Sequence, residues 1–128
     1  MTAPTPDSVR RAGVAAQAAA DKKGTDIVVL DVGEIISITE VFVLVSATNV
    51  RQVRTIVEEI ELTLKIVDDE GPRAVEGLAD ASWVLMDYGD IIVHVFLDET
   101  RDFYDLDRLW SDATRIDWEP EPSAIQAQ

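Results

Sequence analysis

The 128-residue chain predicts a mixed α/β (α+β) domain, a single mixed five-stranded sheet with three helices packed against it. Three observations carry that expectation. Hydrophobic periodicity changes along the chain in the order α-β-β-α-β-β-β-α, so helices and strands interleave. The run WVLMDYGDIIVHVF, Trp83 to Phe96, holds two β-prone stretches joined at Tyr88-Gly89, where glycine supplies the positive φ of a tight turn. The length of 128 residues fits one domain and is too small for two, and with 47% of the residues hydrophobic a packed globule is expected.

The elements follow in order. Residues 1–6, rich in Pro and Thr, are expected to form a flexible leader. Asp7 or Ser8 caps a helix carrying Val9, Ala12, Ala16 and Ala19 at three-to-four spacing. Gly24 stops that helix just after Lys22 and Lys23, cations suited to a helix C-terminus. DIVVLDV (26–32) reads as a buried strand and VFVLVSA (41–47) as a second. Thr48-Asn49 then opens the strongest helix, with Val50, Val53, Val57, Ile60, Leu64 and Val67 on one stripe, and Asn49 with Gln52 resembles a capping box. The acidic turn Asp68-Asp69-Glu70-Gly71-Pro72 ends it.

A weak strand, Arg73 to Glu76, and a loop at Gly77 lead into the hairpin. Asp98 or Thr100 caps a last helix with Phe103, Leu106, Leu109 and Trp110 on its apolar side. The pattern fades beyond Ala113. The domain is therefore expected over 7–113, with 114–128 a flexible acidic tail in which Trp118 is either loose, the favoured reading, or a second docking point, and Glu119 to Gln128 is rich in Pro, Glu and Gln. Strands two and three, joined through a helix, are free to run parallel, whereas four and five must be antiparallel.

Charge restricts the partners. Twenty-five acids against eleven bases give a net charge of −14. Such a surface repels phosphate backbones and argues against direct nucleic-acid specificity, while a basic partner protein is attracted and steered. No apolar run approaches the roughly 20 residues that cross a bilayer, and the first residues lack the apolar stretch of a signal peptide. The chain has no cysteine, which excludes disulfides and thiolate zinc sites. The expectation is a cytoplasmic protein without a membrane association.

The residues that carry chemistry point away from catalysis. Ser46-Ala47-Thr48-Asn49 precedes a helix N-terminus but offers neither glycine nor a following lysine, so it reads as a cap and not as a phosphate loop. His94 is the only histidine. It lies mid-strand on the face shared by Ile92 and Phe96, a position that suits packing or contact better than general-base work. Asp87 and Asp90 flank the hairpin turn, and no neighbouring strand supplies a third acid, so they read as turn-favouring residues and not as a magnesium site. No enzyme activity, cofactor or metal is expected.

Five segments in a fixed order resemble the ribosomal silencing factor family, RsfS, also called Iojap. They are DKKGTDIVVLDV, ITEVFVLVSATNVRQV, the EG before the hairpin, WVLMDYGDIIVHVF, and RDFYDLDRLW, together spanning about residues 8–113. The chain departs from the family in having Glu40-Val41 where relatives commonly carry Asp-Tyr, and Ala47-Thr48-Asn49 for Gly-Thr-Ser. The resemblance implies a nucleotidyltransferase-like fold without that fold's catalytic Asp-x-Asp. It also implies a binding function: attachment to the large ribosomal subunit through its ribosomal protein fourteen, steric blocking of small-subunit joining, and repression of translation in starvation or stationary phase.

Aromatic anchors and carboxylates able to take arginine forks mark the expected contact surface. It comprises Trp83, Leu85, Asp87, Tyr88, Asp90 and His94 on the hairpin, and Arg101, Asp102, Tyr104 and Asp105 on the last helix. Trp83, Leu85 and Asp87 alternate onto one face, although alternation leaves open whether that face meets the core or the partner. Tyr88 and Asp90 are expected to be exposed at the turn, and Phe103, Leu106 and Trp110 to be core. Reversing Asp90 and Asp105 to lysine is expected to leave the fold intact. Two other readings stay open: a degenerate nucleotidyltransferase-like domain binding a nucleotide or Mg²⁺, and a homodimer closing on the apolar hairpin face.

Overall fold

The structure, a computed structural model, describes residues 3–119. Its elements are α1 (Pro6–Asp21), β1 (Thr25–Asp31), β2 (Val41–Ala47), α2 (Val50–Asp68), β3 (Ala74–Glu76), β4 (Trp83–Asp87), β5 (Ile91–Leu97), α3 (Asp98–Phe103), α4 (Leu106–Leu109) and β6 (Thr114–Ile116). The class is the predicted one, but among the described residues the single mixed sheet has six strands, in the order β3-β4-β5-β2-β1-β6. β2 and β5 pair in parallel from Val41↔Ile91 to Ala47↔Leu97, and the other pairings are antiparallel. β3 does run in the direction of β2, but β5 and β4 lie between them, so the crossover through α2 joins strands that are not neighbours.

β2 and β5 are buried on both faces, which is why VFVLVSA and IIVHVFL read as continuous runs and not as alternating ones. One face packs under α1 and α2. Ala12, Ala15, Ala16 and Ala19 let α1 approach closely, while Val53, Ile56, Val57, Ile60 and Leu64 of α2 meet Val43, Val45, Val84, Met86, Val93 and Val95. The opposite face carries Leu30, Phe42, Leu44, Ile92 and Phe96 together with partly buried Trp83 and Leu85 of β4, and is covered in part by Leu106 and Trp110. Among the described residues only the short helices α3 and α4 reach this second face, and Trp83 and Leu85 on it are half-buried.

Several local expectations change. The cap of α1 is Thr5, whose side chain accepts the Ser8 N–H, with Pro6 in the first turn where its missing N–H costs nothing. Asp7 therefore sits in the first turn, and the helix starts inside the segment expected as leader. Lys23, with φ 69°, makes the left-handed step at the end of α1. Gly24 is needed for a different reason: a Cβ there would stand 2.7 Å from Val45 Cγ1 and 3.0 Å from the Ala19 carbonyl oxygen. Asn49 does cap α2, accepting from Gln52 N, but Val67 is exposed in the last turn because that turn passes the end of the apolar stripe.

The last helix is not one helix. Asp105 adopts φ 50°, breaking the segment into α3 and α4, and neither Asp98 nor Thr100 caps it; Leu97 holds that position without a side-chain bond. The break rotates the stripe, so Leu106 is buried and Trp110 half-buried while Phe103 and Leu109 point to solvent. The expectation that Phe103 is core fails here. Beyond Ala113, β6 pairs with β1 along Val29 to Asp31, and Trp118 packs against the helix-side core, so it is not loose. The remainder of the expected tail, residues 120–128, lies outside the described residues.

Candidate functional site

The open face of the sheet is where the predicted contact residues can be tested. Across the β4–β5 pairing, Trp83 stands opposite Phe96, Leu85 opposite His94 and Asp87 opposite Ile92. All six point to the face away from α1 and α2. Trp83 and Leu85 are half-buried there. The alternation therefore gave a common face correctly, and the structure decides its direction.

Five of the predicted residues come together. The Trp83 ring lies 5.8 Å from the Tyr104 ring, and Tyr104 meets Phe103 edge-on at 4.9 Å. Tyr104 is 57% exposed and Phe103 81% exposed. With Leu85, and with exposed Asp102 and Asp105, these side chains make an aromatic ridge rimmed by acids at the junction of β4 and α3. Phe103 was missed as a contact residue because its spacing matches a buried stripe.

Three predicted residues lie beneath the surface. Tyr88 is 5% exposed. The two central residues of the turn are Gly89 and Asp90, since Tyr88 N–H donates to the Ile91 carbonyl at 3.0 Å. That shift of one residue leaves Tyr88 as a continuation of β4, on the face of Val84 and Met86, turned toward the helices. Burial, then the charge of Glu61, pushes its hydroxyl up to about 12, against the pull of Arg11. Arg101 is buried too: it donates to the Asp26 carbonyl and to Ser46 Oγ, each at 2.8 Å, and pairs with Asp107. Its guanidinium lies over Phe96. It ties α3 to the sheet and is not offered to a partner.

His94 is the third, with 5% of its surface exposed. Trp83 Nε1–H donates to His94 Nδ1 at 3.2 Å, and the imidazole stacks on Phe96 and meets Phe42 edge-on at 4.5 Å. Burial lowers it to about 4, so it is neutral at ordinary pH.

Asp87 and Asp90 lie at the far end of the hairpin and serve the fold. Asp87 Oδ1 accepts Gly89 N–H at 2.8 Å and closes the turn. Asp90 accepts Ser8 Oγ–H at 2.7 Å and pairs with Arg11, which also reaches Glu70 and, at 3.6 Å, Asp68. Burial pushes the Asp90 carboxyl up, but the bonds from Ser8 and Arg11 outweigh it and hold the group below its ordinary range. Asp90 is therefore not a free acid at a turn tip, and its reversal to lysine would set two cations against each other. No sequence pattern pointed to Arg11. Among the described residues no group of three or more His, Asp or Glu is placed to hold a metal.

The family profile described as "Ribosomal silencing factor during starvation" matches residues 5–128. The chain is 37% identical over 106 residues to the ribosomal silencing factor RsfS of Bacillus subtilis, spanning 81% of this chain and 87% of that protein. The chain belongs to the RsfS family. RsfS of Halalkalibacterium halodurans is 34% identical over 108 residues, spanning 83% of this chain and 90% of its own. A crystal structure of a protein from Chromobacterium violaceum superposes with a TM-score of 0.74 at 33% identity, covering 79% of this chain and 83% of that one.

At Glu40-Val41 and Ala47-Thr48-Asn49 the local structure is well tied down. Glu40 accepts the Thr5 N–H at 2.7 Å and ties down the start of α1, Val41 is buried in β2, and Asn49 caps α2.

Proposed function

We propose that the protein binds the large ribosomal subunit through its ribosomal protein fourteen, covers a surface that the small subunit must reach, and so represses translation in starvation or stationary phase. The carrying observation is the Trp83–Tyr104–Phe103 ridge: exposed aromatic area on an otherwise strongly acidic protein, with Asp102 and Asp105 at its rim. Aromatic side chains concentrate binding energy, and rim carboxylates select a basic protein over the surrounding RNA. Ridge residues Trp83, Leu85, Asp102, Phe103, Tyr104 and Asp105 carry the contact, with His94 and Arg101 supporting it from below. The mechanism is occlusion, without catalysis, in the cytoplasmic compartment that holds the ribosomes, so affinity and concentration alone set its extent. Self-association through the same ridge would compete with docking and hold the protein silent.

Purified subunits mixed with increasing protein and resolved on a sucrose gradient test the proposal. Joined ribosomes should decline as the protein co-sediments with the large subunit. Normal joining at a saturating excess would overturn it.

A further inference from the structure

A histidine in the middle of a core strand is an expensive choice. His94 is desolvated, and its Nε2 has no hydrogen-bond partner among the described residues. A leucine or phenylalanine would fill the space among Phe42, Phe96 and Trp83 without either cost. Among the described residues, the one polar contact that the imidazole makes is the bond from Trp83 Nε1–H. That bond has a consequence at the surface. The Nε1–H is the only polar group of the indole, and turned inward it must find an acceptor or remain unsatisfied. Once it is bound to His94, all of the indole area left at the surface is apolar, and the ring is pinned against Tyr104.

We infer that His94 is a positioning residue for the docking ridge: its neutral Nδ1 holds the Trp83 indole with the N–H turned inward, so that Trp83 presents only apolar ring surface to the partner. The inference rests on the docking reading above and adds the chemistry of the partner group. What meets Trp83 is an aliphatic side chain or a cation lying over the ring, not a hydrogen-bond acceptor. It also fixes a tautomer. With Nδ1 accepting, the imidazole proton resides on Nε2.

The test combines spectroscopy on the free protein with binding to purified large subunits. In the wild-type protein, ¹⁵N shifts of His94 should report the Nε2–H tautomer, and the Trp83 indole proton, assigned by its loss in Trp83→Phe, should be protected from exchange. An Nδ1–H tautomer or an unprotected indole proton overturns the inference without any variant. His94→Phe, which cannot accept, should release the indole proton and weaken binding roughly tenfold, while His94→Gln, which keeps an acceptor oxygen, should restore most of both. In the Trp83→Phe background, His94→Phe should weaken binding no further; an equal loss in both backgrounds means that His94 does not act through Trp83 and overturns the inference. The two readings fail differently. A protected indole proton together with unchanged binding of Trp83→Phe removes the ridge as the docking surface, whereas weakened binding of Trp83→Phe with an unprotected proton removes only the role of His94.

Discussion

Lowering the pH from 7.5 to about 5 should cost this domain about 2 kcal/mol of stability through His94 alone. Burial lowers the folded-state imidazole to about 4 from an ordinary 6.5. Between those values the unfolded chain takes up a proton that the folded protein refuses. The contribution is therefore fully present above the unfolded value and is lost as pH falls toward the folded one. Across the whole window the loss approaches about 3 kcal/mol, because each tenfold difference in proton affinity between the two states corresponds to about 1.4 kcal/mol. At pH 5 the unfolded imidazole is almost fully protonated and the folded one almost fully neutral, which gives the smaller figure.

Asp90 does not confuse the measurement. Its carboxyl is held below the ordinary 3.8, so its contribution stands above that value and is lost only as pH falls further. Urea unfolding of the wild type and of His94→Gln at the two pH values supplies the assay. The substitution carries its own cost at both, and only the change with pH is compared. The wild type should lose about 2 kcal/mol more than the variant. Parallel losses in the two proteins, or an NMR titration placing folded His94 near its ordinary value, would refute the reasoning.

Other perturbations separate the fold from the ridge. Arg11→Met leaves Asp90 and Asp68 without their buried cation and should destabilise by about 3 kcal/mol in urea unfolding; a change within about 0.5 kcal/mol would show that the ion cluster is not structural. Asp90→Lys should destabilise as well, whereas Asp105→Lys and Phe103→Ala, at exposed positions, should leave stability within about 0.5 kcal/mol and weaken co-sedimentation with the large subunit. Gly24→Ala should cost about 1–3 kcal/mol, because its Cβ would press on Val45 and on the backbone of Ala19.

What the sequence made legible was whatever depends on period. α2 announced itself through a long apolar stripe and a cap at Asn49, and the hairpin through two β-prone runs and a glycine. What stayed hidden depends on single backbone torsions or on distant partners. One left-handed residue, Asp105, splits the last helix and turns Phe103 outward, and no apolar spacing records that torsion. A turn centred one residue later than expected moves Tyr88 to the opposite face, because strand alternation has a period of two. β6 is three residues long, too short for any pattern to register. The partner of Asp90 stands 79 residues away on α1, and only the folded chain brings them together.

The same distinction bears on how a net charge of −14 becomes a specific contact. Part of that charge is already committed to the fold: Arg11 gathers Asp68, Glu70 and Asp90, and Arg101 holds Asp107. Near the ridge the acids are freer. Asp102 has no ion-pair partner among the described residues, and Asp105 has only an exposed arginine, Arg108, at 3.9 Å. Exposed pairs of that kind contribute little and are readily exchanged for a partner's cation. The general negative field therefore governs approach, while discrimination falls to a small area of aromatic surface and the two carboxylates beside it. Adding acids elsewhere on the protein should then speed association without making it more selective, and only changes at the ridge should alter which surface is bound.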